Sequence, residues 1–142
     1  MRKMGLDVGD KTVGIAVSDE LGYTAQGIMT LERVGIRKDT GKIIDMIKEY
    51  GCDTIVIGQP KSLSGDDSVQ TEKVREFRVM LENKMRSTGM KNISVVWQDE
   101  RLTTVMAERV LIEADVSRAK RKKVIDKQAA VIILQSYLDG RR

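Results

Sequence analysis

Two short apolar runs, residues 4–8 and 13–17, flank Gly9-Asp10-Lys11-Thr12 at the start of the chain. Gly and Asp supply the positive-φ or Asx-turn geometry of a tight reversal, so this stretch specifies a β-hairpin around which the rest must be built. Inside its first strand sits Asp7. A carboxylate in an otherwise apolar strand costs several kcal/mol unless it is paired or metal-bound. It is therefore either a chemical group or a cap on the Gly9 turn.

Downstream the hydrophobic period changes twice. A weaker β signal over residues 23–31 (Ile28, Met29, Thr30, Leu31) predicts a third antiparallel strand. Over 35–50 the period becomes helical, with Ile43, Ile44, Ile47 and Tyr50 on one face, Lys42, Asp45, Lys48 and Glu49 turned outward, and Gly51 as the stop. Thr54-Ile55-Val56-Ile57-Gly58 is a continuous β-branched run of the kind buried on both faces of a parallel sheet. Residues 59–67, with the only proline, Pro60, predict a loop, and Asp66, Asp67 and Ser68 are good caps for a helix whose stripe is Val74, Phe77, Leu81 and Met85. A strand over 93–97 ends in Gln98-Asp99-Glu100-Arg101. Thr103 or Thr104 caps a third helix with Ala107, Val110, Leu111 and Ala114 inward, and a last helix runs from about 123 to 138. The order βββ, α, β, α, β, α, α predicts an α/β fold: a mixed five-stranded sheet, three antiparallel strands then two parallel, with helices on both faces. Neither repeat nor linker interrupts it, so one domain over 1–142 is expected.

Composition narrows the chemistry. Histidine is absent, which removes Ser-His-Asp and Cys-His catalysis and His-ligated metals and leaves carboxylates as the natural catalytic groups. A lone Cys52 makes no internal disulfide, and neither a signal peptide nor an apolar run of membrane-spanning length is present. A soluble cytoplasmic protein without membrane partners is expected. Twenty-five basic against 21 acidic residues, pI near 9.2, suit a polyanionic partner without requiring one.

Two acids besides Asp7 stand out. Glu100 lies just past the carboxyl end of a buried strand, where open α/β sheets bind ligands, although Asp99 or Glu100 could instead cap the next helix. Asp126 heads a stripe of Ala129, Ala130, Ile133 and Tyr137 at helical spacing. The two alanines let the helix approach the sheet, carrying the acid toward Asp7. The alternative is a first-turn acid favoured by the helix dipole. Three converging carboxylates repel one another, and divalent cations relieve the repulsion. An all-oxygen set suits Mg²⁺ or Mn²⁺, and two such ions about 4 Å apart can activate a water and stabilise the leaving oxygen of a phosphodiester.

Arg118, Lys120, Arg121, Lys122 and Lys123 put five cations in six positions before the Asp126 helix. Such a run is either a solvated loop or a grip on phosphates beside the acids. Lys11 and Arg101 are further candidates for phosphate contact. With five aromatic residues in the chain, a base-stacking platform is not expected, and recognition should be of backbone and shape.

The chain resembles the YqgF/RuvX family of RNase H-like nucleases over nearly its whole length. The likeness rests on Gly5-Leu6-Asp7-Val8-Gly9 with Gly14-Ile15-Ala16-Val17-Ser18-Asp19, on Ile57-Gly58-Gln59-Pro60 with Gly65, on Asp99-Glu100-Arg101-Leu102-Thr103-Thr104, and on Ile125-Asp126-Lys127-Gln128-Ala129-Ala130 with Ile133-Leu134-Gln135. Gln59, Ser62 and Gln98 depart from its usual pattern. The resemblance implies an RNase H-like fold, catalytic and metal-binding roles for Asp7, Glu100 and Asp126, and a part in maturing the 5′ end of 16S ribosomal RNA. It also implies a Holliday junction resolvase-like alternative on branched DNA.

The expected protein is thus a Mg²⁺- or Mn²⁺-dependent phosphodiesterase, monomer or homodimer, acting on structured RNA such as pre-16S rRNA. Asp7 would bridge the metals and residues 120–123 hold the backbone. Two rivals follow from the same residues. An Asp-x-Gly hairpin also builds the phosphate loop of actin-like sugar kinases and ATPases, which need a second related domain that 142 residues cannot supply. A non-catalytic RNA-binding assembly factor would bind nucleic acid without needing the acids.

Overall fold

The computed structural model describes residues 1–59, 69–99 and 118–141, with the backbone alone at 69–70, 99 and 118–126. Five strands form one sheet: β1 (Arg2–Val8), β2 (Thr12–Ser18), β3 (Ala25–Glu32), β4 (Cys52–Gln59) and β5 (Ser94–Asp99). Their spatial order is β3-β2-β1-β4-β5, with β1–β2 and β2–β3 antiparallel and β1–β4 and β4–β5 parallel. This is the expected mixed sheet. The hairpin closes through Gly9 N–H donating to the Thr12 carbonyl at 2.9 Å.

Helices α1 (Ile36–Tyr50) and α2 (Val69–Ser87) cover one face of the sheet, and α3 (Arg118–Asp139) covers the other. Strand alternation assigns the residues. Met4, Leu6 and Val8 of β1, with Val13, Ile15, Val17, Ile55 and Ile57, meet Ile43, Ile47, Val74, Phe77 and Leu81 in the larger core. Ala16, Ala25 and Val56 meet Ala130, Ile133, Leu134 and Leu138 in the smaller one. β4 is buried on both sides, as its unbroken β-branched run requires. Gly51 adopts φ 67°, ψ 48° and closes α1 by donating to Ile47, a left-handed cap that a side chain would strain.

The smaller core is thin because its sheet side is made of small residues. A Cβ built on Gly5 would stand 2.7 Å from the Leu134 Cβ and 2.9 Å from the Ala130 carbonyl oxygen. On β3 a Cβ at Gly27 would stand 2.8 Å from the Lys127 Cγ. The α3 backbone therefore rests almost directly on β1. Gln135 fixes the distal end of this contact: its Oε1 accepts from Ala25 N–H and its Nε2 donates to the Tyr23 carbonyl, both at 2.9 Å.

Several boundaries differ from expectation. β5 extends to Asp99, because Gln98 and Asp99 continue the ladder against Gly58 and Gln59. α3 begins at Arg118, about five residues earlier than expected, so the basic run forms its first turns and is not a loop preceding it. Arg, Ala and Lys are strong helix formers, and neither Gly nor Pro separates Arg118 from Asp126. The buried stripe of α3 also includes Leu134 and Leu138, with Tyr137 only half-buried. Gln59, expected to open the loop 59–67, is instead the last residue of β4; the rest of that loop, the caps Asp66, Asp67 and Ser68, and the helix from Thr103 or Thr104 lie outside the described residues. No helix among the described residues is long and apolar enough to cross a membrane.

Gly5→Ala is expected to lower stability by about 1–3 kcal/mol, the usual cost of overpacking. Thermal unfolding checks this. An unchanged midpoint would mean that α3 moves away freely.

Candidate active site at the carboxyl end of the first strand

Asp7 lies near the carboxyl end of β1, the central strand, paired with Gly14 of β2. Here the sheet changes from antiparallel to parallel pairing, the position at which α/β sheets form ligand crevices. By alternation Asp7 shares the α3 face with Gly5 and is half-buried. The glycine opposite it adds no bulk over the carboxylate.

The other two acids are placed by backbone alone. α3 runs antiparallel to β1: Ala130 and Leu134 pass Gly5, while Leu138 and Arg141 share a cleft with Lys3 at the strand's start. The first turns of α3 therefore extend toward the Asp7 end of β1. Asp126 occupies α3 one turn before Ala130, and its side chain is not among those described. Glu100 lies outside the described residues, immediately after Asp99, the last residue of β5. β5 is an edge strand with β4 between it and β1, so two strand spacings, about 9.6 Å, separate the two strands. Among the described residues no three His, Cys, Asp or Glu side chains gather as a metal-ligand set, and Asp7 is the only one of the three acids whose side chain belongs to that set of residues.

Of the candidate cations, Lys11 is exposed in the hairpin turn. Arg101 lies outside the described residues. Arg118, Lys120, Arg121, Lys122 and Lys123 occupy the first turns of α3, their side chains likewise not described.

A feature that sequence reading missed holds the turn after Asp7. Arg33 donates its backbone N–H to the Lys11 carbonyl at 2.9 Å and its Nη1 to the Gly9 carbonyl at 3.0 Å. Its Nε donates at 3.0 Å to Asp39, a fully buried carboxylate at the start of α1, and its guanidinium lies over the Phe77 ring of α2. Asp39 also accepts the N–H groups of Val34 and Gly35 at 3.0 and 3.4 Å. Burial, the strongest single influence, pushes the Asp39 carboxyl up. The Val34 N–H, Arg33 and the Gly35 N–H together outweigh it and hold the group below its ordinary value. An acid four residues after Gly35 was the available sequence signal, but nothing near Arg33 announced its partner.

The family described as RuvX, Holliday junction resolvase, matches residues 1–140. A relative from Clostridioides difficile is 56% identical over 138 residues, covering 97% of this chain and 94% of the relative. One from Clostridium tetani is 49% identical over 140 residues, covering 99% and 97%. Each bears the name "Putative pre-16S rRNA nuclease". In fold, the chain is similar to T. thermophilus RuvC in complex with a Holliday junction substrate, with TM-score 0.60, 12% identity and coverage of 99% and 96%. It is also similar to the fowlpox virus Holliday junction resolvase, with TM-score 0.61, 13% identity and full coverage of both chains. The sheet and its helices are thus the RNase H-like arrangement. The chain belongs to the RuvX family, and with it to the nucleases, hydrolases of phosphodiester bonds.

The lowered Asp39 value sets an acid-side expectation. A depressed carboxyl stabilises the fold above its unfolded value, about 3.9, and that contribution is lost as pH falls through the lower folded value. Thermal midpoints taken from about pH 6 downward through that window should fall more steeply for the unaltered chain than for Asp39→Asn, which lacks the titrating group. Parallel curves would remove Asp39 from the acid-side balance.

Proposed function

We propose that this RuvX-family nuclease cleaves structured ribosomal RNA precursors at the 5′ end of 16S rRNA, using divalent cations held by Asp7, Glu100 and Asp126. The observation that carries the reading is Asp7: a half-buried carboxylate at the carboxyl end of the central strand, on the face that α3 covers. The names borne by relatives at about half identity support the substrate. The family description as a resolvase keeps branched DNA as the second substrate.

The donor chemistry fits Mg²⁺ or Mn²⁺. The chain has no histidine. Its one thiol, Cys52, is buried, and desolvation pushes its pKa up to about 11, so it is no thiolate ligand at neutral pH. That leaves oxygen donors, which hard cations prefer. When bound, such ions activate water and stabilise a leaving alkoxide. Asp7 is the fixed donor, because β1 is held on both sides by neighbouring strands and its turn is tied down by Arg33. Glu100 must reach inward from the edge strand. Asp126 is carried by a helix whose height over the sheet is set at Gly5. Lys11, Arg101, Arg118 and residues 120–123 hold backbone phosphates around the acids, positioning the substrate and not reading its sequence. All of this is the work of one domain over residues 1–142.

A precursor of 16S rRNA and a four-way DNA junction, each incubated with and without Mg²⁺, test the reading. Metal-dependent cleavage of the RNA is expected, with at least about a hundredfold loss in Asp7→Asn, more than the loss typical of outer-shell partners. Preferential cleavage of the junction moves the substrate to DNA. Binding without cleavage, unaltered in Asp7→Asn, favours the assembly-factor alternative. Without metal, Asp7→Asn should also raise the thermal midpoint, since it removes one of the mutually repelling charges. A fall in that midpoint would favour the turn-capping role.

A further inference from the structure

On the face of the sheet away from α3, α1 and α2 lie side by side and enclose a groove of about 520 Å³. Its charged lining is four cations, Lys38, Lys42, Lys48 and Lys84, against one acid, Asp45. Six cations elsewhere in the fold, Arg2, Lys3, Arg33, Lys73, Arg75 and Arg78, each reach a carboxylate within 4 Å. Among the described residues none of the four groove lysines does so. Four ammonium groups thus line one groove with a single acid among them, and their mutual repulsion is a cost that an anion would relieve.

The floor of the groove carries a second observation. Gly41 stands in the middle of α1, where glycine is a poor helix former. A Cβ there would come 3.3 Å from the Lys84 Nζ, and that ammonium donates across the groove to the Arg37 carbonyl. The missing side chain keeps the floor open beside a cation that ties the two helices together.

Shape and lining identify the ligand class. Lys38 to Lys48 extend over about 15 Å of helix, the axial length of about four phosphates on one strand, so a single small anion would leave most of the groove unused. Protein partners are held by buried aromatic and aliphatic anchors. Among the described residues the groove has no aromatic lining, and its Ile44 is already buried in the core. Phosphate backbone needs only cations at suitable spacing. We infer that the α1–α2 groove is a second docking surface for nucleic-acid backbone, across the sheet from α3, gripping the substrate away from the bond to be cut. The inference rests on the reading of this chain as a nuclease of structured nucleic acid.

The test is binding of a structured 16S rRNA precursor in EDTA, across about 50 to 300 mM salt, by the unaltered chain and by Lys42→Gln/Lys48→Gln. Both lysines are exposed and without ion pairs among the described residues, so an unchanged thermal midpoint is the check on folding. Affinity should fall on the order of tenfold near 0.1 M salt, and the log–log salt slope should become shallower by about 1.4 to 1.8. Unchanged affinity and slope overturn the inference. Polyglutamate is the second probe: if the substitution abolishes its binding while RNA binding stays intact, the groove belongs to an acidic polypeptide instead. Metal-dependent cleavage by the unaltered chain is scored separately. Its absence with an intact slope difference refutes the nuclease reading and leaves the groove standing.

Discussion

The contact on which the site depends is the near-touching of two backbones at Gly5. A strand residue without a Cβ meets a helix at Ala130, and the helix descends until its carbonyl and the Leu134 side chain occupy the space a methyl group would need. Two strands away, Gly27 makes room for the same helix's Lys127 and Val131 side chains. Close packing of this kind yields the smaller of the two apolar cores, and α3 gains more than burial from it. What it gains is height: the level of the helix above the sheet is set by atoms that cannot compress. Any group carried on its first turns inherits that level. The Gln135 amide, bonded to the start of β3 at the far end, keeps the helix from pivoting.

The opposite face solves a different problem with polar chemistry. The turn after Asp7 projects beyond the ladder and would be free to sway if only Gly9 and Thr12 closed it. Arg33 spans it from the end of β3, holding two of its carbonyls while its guanidinium is matched by Asp39 and stacked on Phe77. A buried carboxylate with three donors is worth keeping only if every one of them is present. The turn, the start of α1 and one ring of α2 are thereby joined in a single network, and β1 is held at its functional end from below while α3 fixes it from above.

Sequence periodicity was a good guide wherever one face of an element is apolar and the other wet. Ile43, Ile44 and Ile47 of α1, and Val74, Phe77, Leu81 and Met85 of α2, were identified correctly because burial alone decides those positions. The strand order was legible from the sequence of periods, since a meander followed by alternating helices and strands allows few sheets. The start of α3 was not, because a cationic run carries no hydrophobic phase and only its propensity argues for helix. Leu134 and Leu138 escaped the stripe for a related reason: a helix lying this close to small residues buries a wider arc than an ordinary amphipathic helix does. The Arg33–Asp39 pair was invisible because its two members meet through a turn and a helix start, not through any sequence spacing that has a name. At the site, Asp7 stood out by being polar in an apolar strand, whereas Glu100 and Asp126 depended on argument about where strands and helices end.

The strand order then bears on how three acids could act together. Asp7 has neighbours on both sides and no freedom to travel, whereas a group following β5 starts two strand spacings away, about 9.6 Å. A carboxylate at that distance cannot share a cation with Asp7 unless the chain after Asp99 turns back over β4. Gly58, at the carboxyl end of β4 and level with Gln98, is buried and brings no side chain to that position. Residues with small or absent side chains, Gly5, Gly14 and Gly58, thus surround Asp7 on its own strand and on both neighbours. A half-buried acid in the centre, ringed by residues without bulk, asks its partners to come to it.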